Sequence, residues 1–285
     1  AIGAVPPQDG DGQTLALTPT FFQRGGFHSY NLTSNAGDAA IADGTALRLS
    51  AVNLVLDSSA SGQATGADML GFASTTLLPE HLRRASSFSL NVSGGAYESN
   101  ASNLANVGVV RIGASSQLET ESRGQIALSA PTSVLIEGSL VAPGGAINLS
   151  ISSDRFNEGF LQSQKIWLGE SAALITAGKA ITTPNDLFRR GDVLRGGDIS
   201  LTAGRGFVVT APGSILDASG VMATFDLLSA AGDRVVPTPV GSSAGSIRLD
   251  SAWGLIHRGE MRAQPGMPEN RGGTLEIVLQ QPSID

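Results

Sequence analysis

GQIALSAPTSVLIEGSLVAPGG, residues 124–145, holds three short runs in which apolar and polar residues alternate: Ile126 and Leu128, then Val134 and Ile136, then Leu140. Gly, Ala-Pro or Ser-Gly interrupts each run after a few residues. Alternation at period two is the pattern of a strand with one face turned inward, and strands this short do not pair as the hairpins of an ordinary sheet.

The same pattern returns 121 residues later in GSIRLDSAWGLIHRGEMRAQPG, residues 245–266. Gly124 falls on Gly245, Ile126 on Ile247, Leu128 on Leu249, Val134 on Leu255, Gly138 on Gly259 and Leu140 on Met261. GGDISLTAGRGFVVTAPGSILDASG, residues 196–220, fits the frame with two extra residues and puts Phe207, Val209 and Ile215 in the slots that follow Ile199 and Leu201. A unit of this length cannot bury its apolar face alone and has to stack on copies of itself. The predicted fold is all-β: a right-handed parallel β-helix, or solenoid, with three short strands per turn and loop insertions between turns. Inward Ile, Leu and Val then form ladders at the strand spacing of about 4.8 Å.

Further copies read at 25–59 (Phe27, Tyr30, Leu32, Ile41, Leu47, Leu49, Leu54 and Leu56), 88–99, 107–120, 166–178 and 272–281. Together they predict about eight to ten turns and a rod about 40 to 50 Å long. Residues 1–24 read as a Pro- and Gly-rich lead-in, and 25–285 as a single β-helix domain whose frame is broken at 60–86, 153–165, 179–195 and 221–243. Insertions in solenoids map to loops on one face, and such loops are where binding is expected.

Composition narrows the function. With 36 Gly, 41% hydrophobic and only 15% charged residues among 285, the chain is neither a charge-rich disordered segment nor a helical one. Cysteine is absent, which removes disulfides, thiolate nucleophiles and Cys-ligated metals. The formal charge of −7 argues against nucleic acid as a partner, because phosphate binding needs clustered cations. Arg189, Arg190 and Arg195 form the one notable basic cluster, and Asp186, Asp192 and Asp198 surround it. No apolar stretch is long enough to cross a bilayer as a helix, so membrane insertion is not expected. The opening AIGAVPPQDG has no Met and no charged-then-apolar leader, and reads as a processed piece of something longer.

The stretch RGGFHSYNLTSNAGDAAIADGTALRLSAVNLVLDSSA (24–60), with the recurring GG-x-I-x-L-x-A and GSILDASG units, resembles the large filamentous-haemagglutinin-like exoproteins of Gram-negative bacteria. The resemblance implies two-partner secretion, a long β-helical fibre at the cell surface, and work as an adhesin, a biofilm matrix protein or a toxin-carrying stalk. It implies an outer-membrane transporter as partner during secretion, engaged through a region outside this chain, and a host cell-surface or matrix protein or glycan as ligand. The expected function is structural and adhesive, through the inserted loops. Two alternatives stand beside it: a polysaccharide lyase or hydrolase on the same scaffold, and a passive stalk.

Arg190, Gly191 and Asp192 form an RGD tripeptide inside the 179–195 insertion, where a loop could present it to an integrin; these are the predicted binding residues. His28, His81 and His257 lie far apart, and a hydrogen-bonded structural role is the expectation for His257, which aligns with Ile136. A β-helical enzyme would need carboxylates one unit apart on the outside. Asp192, Asp198, Asp217 and Asp226 come nearest, but the frame puts Ala127, Asn148 and Arg248 in the slots equivalent to Asp198. Asp217 reads as a turn former. Trp167, Trp253, Phe156, Phe160, Phe188 and Phe207 are available for sugar contact, with core filling or capping as the plainer role. Asn31, Asn91, Asn100 and Asn148 begin N-x-S/T sequons. No cofactor, metal or catalytic group is expected.

Overall fold

The computed structural model describes residues 1–3, 15–35, 37–93, 108–152, 164–185 and 187–280. Asn100, Phe156, Phe160, Asp186 and most of the 153–165 insertion lie outside the described residues. The chain is a parallel β-helix with three strands per turn, and three parallel sheets of seven, six and six strands form its walls.

The first sheet contains Ser29–Ser34, Ser87–Val92, Gln125–Ala130, Ala146–Ile151, Asp198–Ala203, Ser246–Ser251 and Thr274–Leu279. The second contains Ala39–Ile41, Val109–Ile112, Ser133–Ile136, Lys165–Leu168, Phe207–Thr210 and Gly254–His257. The third contains Ala46–Arg48, Gln117–Glu119, Ser139–Val141, Ala173–Ile175, Ile215–Asp217 and Glu260–Arg262. The chain visits the three sheets in that order on every rung. The described residues form six complete rungs, and Thr274–Leu279 opens a seventh. Seven strands span about 30 Å, so the expected eight to ten turns were too many. One source of the overcount is Asn53–Leu56, which is an arm of an antiparallel hairpin with Ala73–Thr76; its Leu54 and Leu56 face solvent, as does Phe27.

The ladders run as the repeat predicted. Ile126, Ile147, Ile199 and Ile247 stack in one row of the first sheet, and Leu128, Leu149, Leu201 and Leu249 in the next. All eight are buried, each worth about 1.5 to 3 kcal/mol. One stretch is off by a residue: Val208, Thr210 and Leu216 point inward, while Phe207, Val209 and Ile215 point out. Phe-Val-Val and Ile-Leu are unbroken apolar runs that do not choose a face. The rungs below, with Ile166 and Leu174 inside, choose it for them.

Where the third sheet hands over to the first, Gly124, Gly145, Gly197, Gly245 and Gly273 stack in a column. A Cβ on Gly145 would strike the carbonyl oxygen of Gly124; Gly197 stands in that relation to Gly145, Gly245 to Gly197 and Gly273 to Gly245. Glycine is required here by close approach of successive rungs.

The two ends differ. Below rung 1 the short 3-10 turn Pro19–Gln23 lays Phe22, fully buried, against Tyr30 and Phe88 at centroid separations of 5.0 and 6.0 Å. The Tyr30 hydroxyl donates to the Phe22 carbonyl at 2.7 Å. Above rung 6, Leu275, Ile277 and Leu279 continue the inward rows over Ile247, Leu249 and Ser251 but are 53%, 47% and 63% exposed.

Candidate functional site: the insertion corner

Among the described residues three hairpins leave the solenoid at the corner between the third and first sheets. They are Asn53–Leu56 with Ala73–Thr76 after rung 1, Ala180–Thr183 with Arg190–Val193 after rung 4, and Met222–Leu228 with Val235–Gly241 after rung 5. Rungs 2 and 3 turn the same corner tightly, through Thr120–Gly124 and Ala142–Gly145. That leaves space along the flank into which the first insertion folds.

The first insertion descends to the flank through the 3-10 turn Glu80–Leu82 and is held there by charge. Lys179, at the root of the second hairpin, pairs with Glu80, and Ser122 donates to the same carboxylate at 3.4 Å. Arg83 meets Glu121 at 3.5 Å and donates from Nε to the Leu78 carbonyl at 2.6 Å. Burial pushes the Glu80 carboxyl up, but Lys179, Ser122 and Arg83 outweigh it and hold the group below its usual value. At the nearly buried Glu121 desolvation wins, and its pKa is raised in spite of Arg83 and Arg48. The buried Nδ1 of His81, in the same turn, has no hydrogen-bond partner.

The second and third hairpins pack side by side. The Asp226 amide donates to the Arg189 carbonyl at 2.8 Å, while the Asp226 carboxylate accepts from the Arg189 amide at 2.7 Å and guanidinium at 3.0 Å. Those bonds from Arg189 keep the Asp226 pKa low. Phe225 is buried in the seam beside Gly191, where a Cβ would collide with its ring and with the Ile181 carbonyl. On the far side, Pro237 and Pro239 stand two residues apart in the ladder, so their missing donors blunt the outer edge of the third hairpin.

The RGD tripeptide therefore does not sit at a loop tip. Arg190, Gly191 and Asp192 lie in the strand Arg190–Val193, with Gly191 beside the Phe225 ring at the edge of the seam. Asp192 pairs with Arg123 at 3.0 Å and accepts from the Val193 amide at 2.9 Å. The Arg190 guanidinium lies 5.6 Å from the Phe188 ring centroid. All three residues are exposed, on a strand whose backbone is fixed by Ala180–Thr183.

The other singled-out carboxylates have local partners. Asp198 accepts from Ser246 at 2.7 Å and lies 3.6 Å from Arg195; its true row is Gln125, Ala146 and Ser246, two residues from the expected one. Asp217 caps its own corner by accepting from the Ser219 amide at 2.9 Å. His257 stacks on Thr210, its Nδ1 2.7 Å from the hydroxyl, in the inward row that includes Ile136 and Leu168. Asn31, Asn91 and Asn148 stand on the outer face of the first sheet.

Among the described residues no group of three His, Asp or Glu could hold a metal ion, and no helix is long and apolar enough to cross a membrane. Sequence reasoning missed the clasp of Glu80, Arg83, Glu121, Arg123 and Lys179. These residues come from one corner on three different rungs, and no spacing connects them. Comparison of the chain with protein-family models, with curated proteins and with solved structures returned no match.

Proposed function

We propose that this chain is a segment of a secreted, surface-displayed bacterial fibre that adheres to host or matrix ligands through its corner hairpins. The observation that carries this reading is their common exit. Insertions from rungs 1, 4 and 5 share one corner and meet one another there, which suits a surface built for contact. Leu54, Leu56, Leu187, Leu227 and Leu228 are exposed on these insertions and give each of them apolar surface for protein contact. The solenoid supplies reach, because each rung rests only on its neighbours and length can grow without redesign. In this reading the parent protein resembles the filamentous-haemagglutinin-like exoproteins, leaves a Gram-negative cell through an outer-membrane transporter, and carries out no reaction in this segment.

The test replaces residues 222–241 with a short Gly-Ser turn. Binding of the protein to cultured cells or extracellular matrix is expected to fall while the β-rich circular dichroism persists. Undiminished binding would leave the segment as a passive stalk.

A further inference from the structure

Among the described residues the outer face of the second sheet carries aromatic rings that the outer faces of the other two sheets lack. From rung 3 to rung 6 one outward row reads Leu135, Trp167, Val209, Ile256, and the row beside it contains Lys165 and Phe207. On the first sheet the corresponding outward positions of rungs 3 to 5 carry Gln125, Ala127, Ser129, Asn148, Ser200 and Thr202. Neither aromatic ring fills the core.

Each ring lies over a glycine. A Cβ on Gly169 would come within 2.9 Å of Trp167 Cη2 and 3.2 Å of Cζ3, so the indole spreads along its own strand over bare backbone. A Cβ on Gly254 would come within 3.2 and 3.3 Å of two Phe207 ring carbons, so that ring leans across to the next rung. Both side chains are half-buried, and the Phe207 ring also meets Trp253 edge-on at a centroid separation of 6.0 Å. Two rings on adjacent rungs, one strand step apart, have Cα atoms about 8 Å from each other. Lys165, also half-buried, is paired across rungs with Phe207 and, among the described residues, makes no ion pair. An ammonium in that position is stabilised by a ligand that brings a negative charge.

We propose that this face binds a polysaccharide of pyranose units carrying carboxylates, with Trp167 and Phe207 stacking on sugar rings and Lys165 receiving the carboxylate. The negative face of an aromatic ring attracts the C–H groups of a pyranose, and apolar Leu135 and Val209 flank the indole so that water is excluded along the row. The site is independent of the corner hairpins.

Affinity electrophoresis in gels containing polygalacturonate or a neutral β-glucan tests it. Polygalacturonate is expected to retard the full chain, and Trp167→Leu to weaken that retardation roughly tenfold, about 1.4 kcal/mol. Leucine already occupies the equivalent position at Leu135, so this variant keeps its rung packed. Trp167→Phe should retain most of the binding, and Lys165→Gln should lose the preference for polygalacturonate over the neutral polymer. Absence of retardation in polygalacturonate, or retardation unaffected by Trp167→Leu, would overturn the site. Equal retardation by both polymers would overturn the acidic class. Replacement of residues 222–241 should leave retardation intact, so the hairpin reading and this one can fail separately.

Discussion

Rows of the same residue types have opposite fates at the two ends of the solenoid. In rung 1, Tyr30 is buried because Phe22 covers it, and the hydrogen bond to the Phe22 carbonyl fixes the cover in place. In rung 7, Ile277 occupies the same row as Leu249 and Leu128, yet about half of it meets solvent. Nothing in Ile277 itself differs from the leucines below it. Burial in this architecture is supplied by the next rung, so a ladder residue is worth only as much as what stacks above it.

The largest effect that could break this comparison is a pair of truncations within one row. Leu149→Ala, between two rungs, is expected to cost about 2 to 5 kcal/mol, and Ile277→Ala less than about 1 kcal/mol, in urea unfolding. Similar losses would mean that the upper end is as well covered as the middle.

A smaller effect sharpens the account of the lower end. Tyr30→Phe keeps the ring packed on Phe22 and deletes only the hydroxyl, and should cost about 1 kcal/mol. An unchanged midpoint would assign the cap to packing alone.

The smallest effect concerns the clasp that ties the insertion leaving rung 1 to the middle of the solenoid. The Glu80 pKa is lowered on folding, so its contribution is present above the ordinary carboxylate range of about 4.3 and lost as pH falls through the lowered value. That of Glu121 is raised, so its contribution runs the other way: it favours the folded state at low pH and is lost as pH rises through the raised value. The two partly cancel on acidification. Thermal midpoints measured from pH 6 to pH 3.5 should therefore fall more steeply in Glu121→Gln than in the parent protein.

The rungs were legible in the sequence because each buried row repeats a residue type at a fixed place after a glycine, as Ile126, Ile147, Ile199 and Ile247 do. Where that alternation lapses, in Phe207-Val208-Val209, the face is set by the neighbouring rung, and local sequence had nothing to say. The hairpins were harder still. Asn-Leu-Val-Leu at 53–56 has the composition of a rung strand, and only its antiparallel partner at 73–76 takes it out of the core. The location of the RGD tripeptide depended on contacts between two insertions that are separate in the chain, through Phe225 and Gly191.

The glycine column has a consequence for how such a protein can change. From rung 3 upward the chain re-enters the solenoid through Gly124, Gly145, Gly197 or Gly245, where a methyl group does not fit, whereas the detours before those points range from a few residues to a whole hairpin; the insertion after rung 1 re-enters through Ser86, which has no rung-closing glycine beneath it. Above rung 2 the corner acts as a socket: foreign segments can be grafted ahead of it with the rungs undisturbed, provided the residue that closes the graft has no side chain.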